Sequence, residues 1–270
     1  MRSNNEKKSH NNSQLIPSIA SLASPSRRWM VVSAVLGTYL FFDLVVFNSL
    51  KSSSDCLISF GAYKGTVYTS TETVGKPKCL LESKWMRVQQ HHVQLAGMAD
   101  VISDWLWIDY HDRINVLVEA PNTFHGMTGQ REFMVFQQAK YALEGRTSLA
   151  IIGGIIEPGE DPKVAAVREV KEEMGIECRD LIPLGRYRTD VNRGMGWVNS
   201  FVAVNCRDVS GVDTIKDDAD IVGATDMERQ SIKQLTSKEL RDALRKGDFL
   251  EVQWSNTVAL ALLNEALAEK

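Results

Sequence analysis

Residues 154–176 read GIIEPGEDPKVAAVREVKEEMGI, and no other stretch of the chain limits the fold so tightly. Asp161 is a good N-cap residue, and Pro162 follows it at the first helical position, where a missing N–H costs nothing. Gly175 supplies the left-handed exit at the other end. These signals predict a helix over residues 162–174. At about 100° per residue, Ala166, Val167, Val170 and Met174 are expected on its core face, with Glu169, Glu172 and Glu173 on the opposite arc. Carboxylates spaced one turn apart repel one another, so such a helix calls for a cation. Arg168 braces part of the charge, and grouped hard oxygen ligands suit Mg²⁺ or Mn²⁺. A solvated acidic face is the other reading. Against it stand Gly153 and Gly154, at the end of an apolar run, and the tight EPGED loop, because a backbone without bulky side chains lets a metal and a diphosphate come close.

The chain has 270 residues, 44% of them hydrophobic, enough for a sizeable core. Thirty-one basic and 34 acidic residues leave a net charge of -3. That balance excludes a bulk pull toward nucleic acid, so no nucleic-acid partner is expected. Cys56, Cys79, Cys178 and Cys206 are scattered without C-x-x-C spacing, which argues against a zinc site or a disulfide framework. They are expected to be buried free thiols, with Cys56 and Cys79 able to pair in an oxidising compartment.

Residues 1–28, rich in Ser and Asn, have too little apolar surface to fold and are expected to form a disordered tail. Residues 29–47, WMVVSAVLGTYLFFDLVVF, are long enough for a transmembrane helix. Eleven Val, Leu and Phe residues favour insertion there, at roughly -0.3 to -0.6 kcal/mol each. Asp43 opposes by about 2.5 to 3.5 kcal/mol at most, so a single-pass membrane anchor is expected. A cleaved organelle-targeting leader is the alternative. Residues 48–79 are expected to hold a linker and N-terminal strands, and 80–270 the catalytic domain. WLWIDY, INVLVEA, EFMVFQQAKYAL, SLAIIGGII and WVNSFVAVNC read as strands. SKELRDALRKG, stopping at Gly247, and SNTVALALLNEALAEK read as helices. Strands mixed with helices imply an α/β layered fold.

Gly154, five residues, Glu160, seven residues, then REVKEEMGI from Arg168 to Ile176 resembles the signature of the Nudix hydrolases at every fixed and apolar position. The resemblance implies an α/β/α sandwich with a mixed β-sheet and a helix that carries divalent metal ions, Mg²⁺ or Mn²⁺. It also implies Gly153 (through its carbonyl), Glu169, Glu172 and Glu173 as metal ligands, Glu172 being ligand or water-orienting partner. Gly154, Glu160, Arg168 and Gly175 would hold the box in shape. The reaction implied is hydrolysis of a diphosphate bridge by a metal-activated water.

The flanks carry substrate choice. The segment QQAKYALEGRTSLAIIGGIIEPGE looks like the lead-in of the ADP-ribose and ADP-sugar pyrophosphatases, which implies Lys140 and Tyr141 in substrate binding. SKWMRV is similar to their Trp-bearing first strands. Those enzymes usually have a proline downstream of the box where this chain has TDVNRGMGW, so Arg193 and Trp197 are expected to substitute, one pairing a phosphate and one stacking a base. For the general base, Asp226 and Glu228 are the candidates, with Asp217, Asp218 and Asp220 as rivals. The resemblance thus implies hydrolysis of a nucleotide-sugar substrate such as ADP-ribose to AMP and a sugar phosphate, by a homodimer. The alternatives are another Nudix substrate, namely a dinucleotide, a coenzyme or capped RNA, and a membrane-tethered nucleotide sensor that binds without turnover.

Overall fold

The computed structural model describes residues 55–121, 131–209 and 230–264. The chain divides into two compact units, Met1–Ser53 and Ser54–Lys270; the first, with the expected tail and anchor, lies outside the described residues. Among the described residues no helix is long and apolar enough to cross a membrane.

Among the described residues eleven strands form one hydrogen-bonded network: β1 (Ile58–Ser59), β2 (Lys78–Glu82), β3 (Met86–Val93), β4 (Ile102–Tyr110), β5 (Arg113–Glu119), β6 (Glu132–Ala139), β7 (Thr147–Ala150), β8 (Ile152–Ile155), β9 (Ile176–Asp190), β10 (Gly194–Asp208) and β11 (Gln230–Thr236). Their order is β1-β2-β3-β4-β10-β5-β6-β11, with β7 on β6, β8 on β5 and β9 on β10. The sheet is mixed, as expected: β10 runs parallel to β4 and β5, while β9 is antiparallel to β10. Among the described residues there are three α-helices: α1 (Pro162–Met174), α2 (Ser237–Lys246) and α3 (Val252–Leu263).

β5 is the hub. Ile114, Val116, Leu117 and Val118 are all inaccessible, which in a strand means that both faces are covered. Helices α1 and α3 both pack against it, and α2 packs against α3 and β11. Phe133, Phe136, Ile152, Leu240 and Val258 fill the same core.

Helix α1 begins and ends where its caps predict. Asp161 accepts from the Lys163 N–H at 2.8 Å, and Gly175 leaves at φ 65°. Its faces differ from the expectation. Val167 is 49% exposed, whereas Ala165 is fully buried. With about 100° per residue, Ala165, Glu169, Glu173 and Ala166 fall in one arc of roughly 100°. Two of the three carboxylates therefore sit among the buried alanines, and only Glu172 lies outside that arc. The apolar and acidic faces that the sequence separated overlap, because the small alanines leave room beside them for longer side chains.

The segment SLAIIGGII is two strands rather than one: β7 pairs with β6, and after Ile151 the chain moves to β5 as β8. EFMVFQQAKYAL likewise stops at Ala139 and turns through a 3₁₀ turn at Tyr141–Leu143. The thiols are not free. Cys56 is bonded to Cys79, and Cys178 to Cys206. The second pair escapes a sequence reading because strand register, with Cys206 directly opposite Cys178, rather than Cys spacing brings it together.

Candidate active site

Register places the double glycine. β8 runs antiparallel to β5, with Gly153 opposite Asn115 and Gly154 opposite Ile114. Immediately afterwards residues 156–160 turn the chain back into α1, and Arg168 ties that loop to the helix. Its Nε and NH2 donate to the two oxygens of Glu160 at 3.0 and 3.1 Å, and NH2 also reaches the Ile155 carbonyl at 3.2 Å. Its NH1 donates to Glu169 at 2.8 Å and to Glu172 at 3.2 Å. Glu160 accepts in addition from the Glu157 N–H at 3.0 Å. One guanidinium thus holds three carboxylates, the arrangement in which arginine's fork is strongest.

The two carboxylates at the ends of this network are shifted in opposite directions. The hydrogen bond from Arg168 holds Glu160 below the ordinary glutamate range. Burial pushes Glu169 above it, with Arg168 opposing and Glu172 and Glu160 adding to the rise. Arg168 is itself held more firmly protonated, chiefly by Glu160.

Gly154 is where Glu169 finds its place. A Cβ there would stand 2.2 Å from the carboxyl carbon of Glu169, so only glycine leaves the space that this carboxylate occupies. Gly153 has a similar neighbour, the Asn115 carboxamide oxygen, 3.3 Å from where a Cβ would be. Gly153, Gly154 and Glu173 line a cavity of about 380 Å³ with Lys140, Arg113 and Glu251. Glu251 is shifted upward by burial, an effect that Arg113 and Lys140 oppose. Buried Asn115 borders the same space, its Nδ2 without a hydrogen-bond partner.

The fold therefore gathers Gly153, Gly154, Glu160, Arg168, Glu169, Glu173, Gly175 and Lys140 around one loop and helix. Glu172 stands apart, its side chain 58% exposed beyond Arg168. The oxygens of Glu169, Glu172 and Glu173 do not converge as a trio. Among the described residues the ligand atoms drawn within 4.8 Å of one another are those of Asp55, Cys56 and Cys79, and those two sulfurs are joined in a disulfide. Mutual repulsion and the pull of Arg168 on Glu169 and Glu172 keep the helix carboxylates apart.

Tyr141 is 99% exposed and lines no cavity described here. Arg193 is also exposed, its guanidinium on the Asn192 carbonyl and near the Trp105 ring. Trp197 lies in a second cavity, of about 400 Å³, that the 156–160 loop also walls. Both ring contacts of Trp197 are with arginines, Arg186 at 4.4 Å and Arg188 at 4.2 Å. Its ring thus carries two guanidinium groups at the wall of that cavity. Asp226 and Glu228, with Asp217, Asp218 and Asp220, lie outside the described residues.

Sequence reasoning missed Arg113, Asn115, Glu251, Arg186 and Arg188. For the last two a signal existed: RYR in a strand puts both arginines on one face, although it does not reveal that Trp197 is opposite Arg188. Arg113 and Asn115 sit at the start of an apolar strand that gives no hint of a ligand.

Comparison with known proteins agrees with this fold. The chain aligns with the crystal structure of an ADP compounds hydrolase at a TM-score of 0.50, covering 71% of this chain and 95% of that one. At 19% identity the likeness is one of fold. A methanol dehydrogenase activator from Bacillus methanolicus is 36% identical over 55 residues, 20% of this chain and 29% of that protein's length. The model of the NUDIX domain matches residues 120–252, the span that contains β6 through α2 and the whole glycine–glutamate motif. Over those residues the chain carries a NUDIX domain.

Proposed function

We propose that this protein hydrolyses the diphosphate bond of a nucleoside diphosphate linked to a second moiety, with an ADP-sugar as substrate and AMP and a sugar phosphate as products. The observation that carries the reading is the placement of Glu169 against the side-chain-free Gly154, and of Glu173 with Gly153 and Gly154 in the wall of the cavity that Lys140 and Arg113 also line. The donor set is all oxygen, two carboxylates and the Gly153 carbonyl, and Gly154 leaves a cradle that a Cβ would fill. Both features fit Mg²⁺ or Mn²⁺, with Glu172 as a further ligand or as the partner that orients water. Such an ion, when bound, neutralises phosphate charge and lowers the pKa of an attacking water.

The chain's own residues do the remaining work. Arg168 fixes the loop to the helix and so sets the position of Glu169. Lys140 and Arg113 face the cavity as cations suited to phosphoryl oxygens. Proton removal from the water falls to Asp226 or Glu228. The ADP part of the substrate is supported by the lead-in segment through Lys140 and by the name of the structural neighbour. A homodimer, and attachment to a membrane through residues 29–47, belong to the same proposal.

The test is direct. Detergent-solubilised full-length protein is incubated with Mg²⁺ and, separately, ADP-ribose, another ADP-sugar, a dinucleotide and a coenzyme, and AMP release is followed. AMP from the ADP-sugars, abolished by a chelator, is the expected result. Release from none of them, or release indifferent to the chelator, overturns the proposal.

A further inference from the structure

Arg188 is a charged group that the hydrolytic site leaves unused. It stands on β9 directly opposite Trp197, its guanidinium 4.2 Å from that ring, 5.5 Å from Trp107 and 5.7 Å from Tyr68. Tyr68 and Trp107 are themselves stacked at 4.5 Å. Three of the cavity's carboxylates are already engaged, and a fourth, Glu157, is exposed at its rim. Asp112 accepts from Arg186 at 2.8 Å and from the Trp197 N–H at 3.0 Å. Buried Asp109 accepts from the Tyr68 N–H, Gln89 and Trp107. Glu160 belongs to Arg168. Arg188 makes no ion pair or hydrogen bond among the described residues. Its burial opposes its charge, an effect that nearby Asp112 offsets only in part, so a bound anion would add the hydrogen bonds that a partly desolvated cation otherwise lacks.

We propose that Arg188 and the 400 Å³ cavity it borders form a binding site for a phosphate-class anion. Three aromatic rings fix the guanidinium plane, so its N–H groups are held in a fork that matches two phosphate oxygens. Exposed Lys64 at the same cavity adds a second cation. The site does not depend on hydrolysis elsewhere in the molecule. Its occupant is the phosphate of a bound nucleotide or a free phosphate ion.

Thermal unfolding of the full-length protein in phosphate-free buffer, titrated with inorganic phosphate and separately with AMP, tests the assignment without any turnover. A ligand that binds only the folded state raises the midpoint, here by about 2–4 °C near saturation. Arg188→Gln should lose at least half of that rise, and Arg188→Lys, which keeps the charge without the fork, should fall between. Lys140→Gln, in the other cavity, should keep the part of the rise that depends on Arg188. An equal rise in wild type and Arg188→Gln, or none in the wild type at tens of millimolar phosphate, overturns the site. If Arg188→Gln does not fold, Arg188→Lys carries the comparison. The two sources separate kinetically: phosphate that raises KM alone occupies the place of the substrate's own phosphate, and phosphate that lowers kcat at constant KM is a separate ligand.

Discussion

A methyl group at position 154 would lie 2.2 Å from the carboxyl carbon of Glu169, closer than any van der Waals contact allows. Gly154→Ala should therefore displace that carboxylate while leaving the strand intact. Metal affinity and turnover are expected to fall by about 10- to 100-fold, the usual effect of misaiming a ligand, with far-UV circular dichroism unchanged; full activity would show that Glu169 is not needed where it sits. The two glutamates on Arg168 permit a sharper test because their signs differ. Glu160 has its pKa depressed by Arg168, so it stabilises the fold above its unfolded pKa, and this is lost as pH falls through the folded value. Glu169 is raised by burial, so its contribution is present below its unfolded pKa and lost as pH rises through the folded value. With chelator present, Glu160→Gln should unfold below the wild type at pH 7, and Glu169→Gln at or above it. The Glu169 difference should close toward pH 4, and the Glu160 difference only further down, as pH falls through its depressed folded value. Parallel behaviour of the two variants would contradict the described network.

At the scale of elements, local signals were legible wherever one short stretch both starts and ends a structure. Helix α1 matches its caps, and α2 its own: the Thr236 hydroxyl accepts from the Glu239 N–H, and Glu239 answers to the Thr236 N–H. Thr236→Ala should cost about 1 kcal/mol, seen as a midpoint lower by roughly 2–4 °C. An unchanged midpoint would mean that the cap is redundant. β9 was not legible. It is an edge strand with a largely exposed pattern, it contains Pro183 and Gly185, and its register with β10 shifts near Ser200, so no period of two survives along it. The partner exchange from β7 to β8 escaped for a related reason, since an apolar run does not say which neighbour it bonds. Arg188 and Asn115 became candidates only when register placed Trp197 and Gly153 opposite them.

Across the whole molecule, the proposed metal-binding half of the site lies within one continuous run from Gly153 to Glu173 and could be read as such. The cavities draw on β4, β5, β9 and the start of α3, and that assembly is invisible to any local pattern. Two disulfides add covalent closure, one of them between adjacent strands. Cys178→Ser should lower unfolding stability by about 2–4 kcal/mol in oxidising buffer, measured by guanidinium denaturation, and the gap should shrink once both proteins are reduced. Equal midpoints before reduction would show the β9–β10 pairing to be self-sufficient.

Arg168 grips both Glu160, on the turn that walls the larger chamber, and Glu169, on the helix bordering the smaller one. A rigid clasp of this kind makes the two compartments mechanical neighbours. The turn and the acidic helix share that one guanidinium, and thermodynamic reciprocity makes any effect of one occupant on the other's grip equal in both directions.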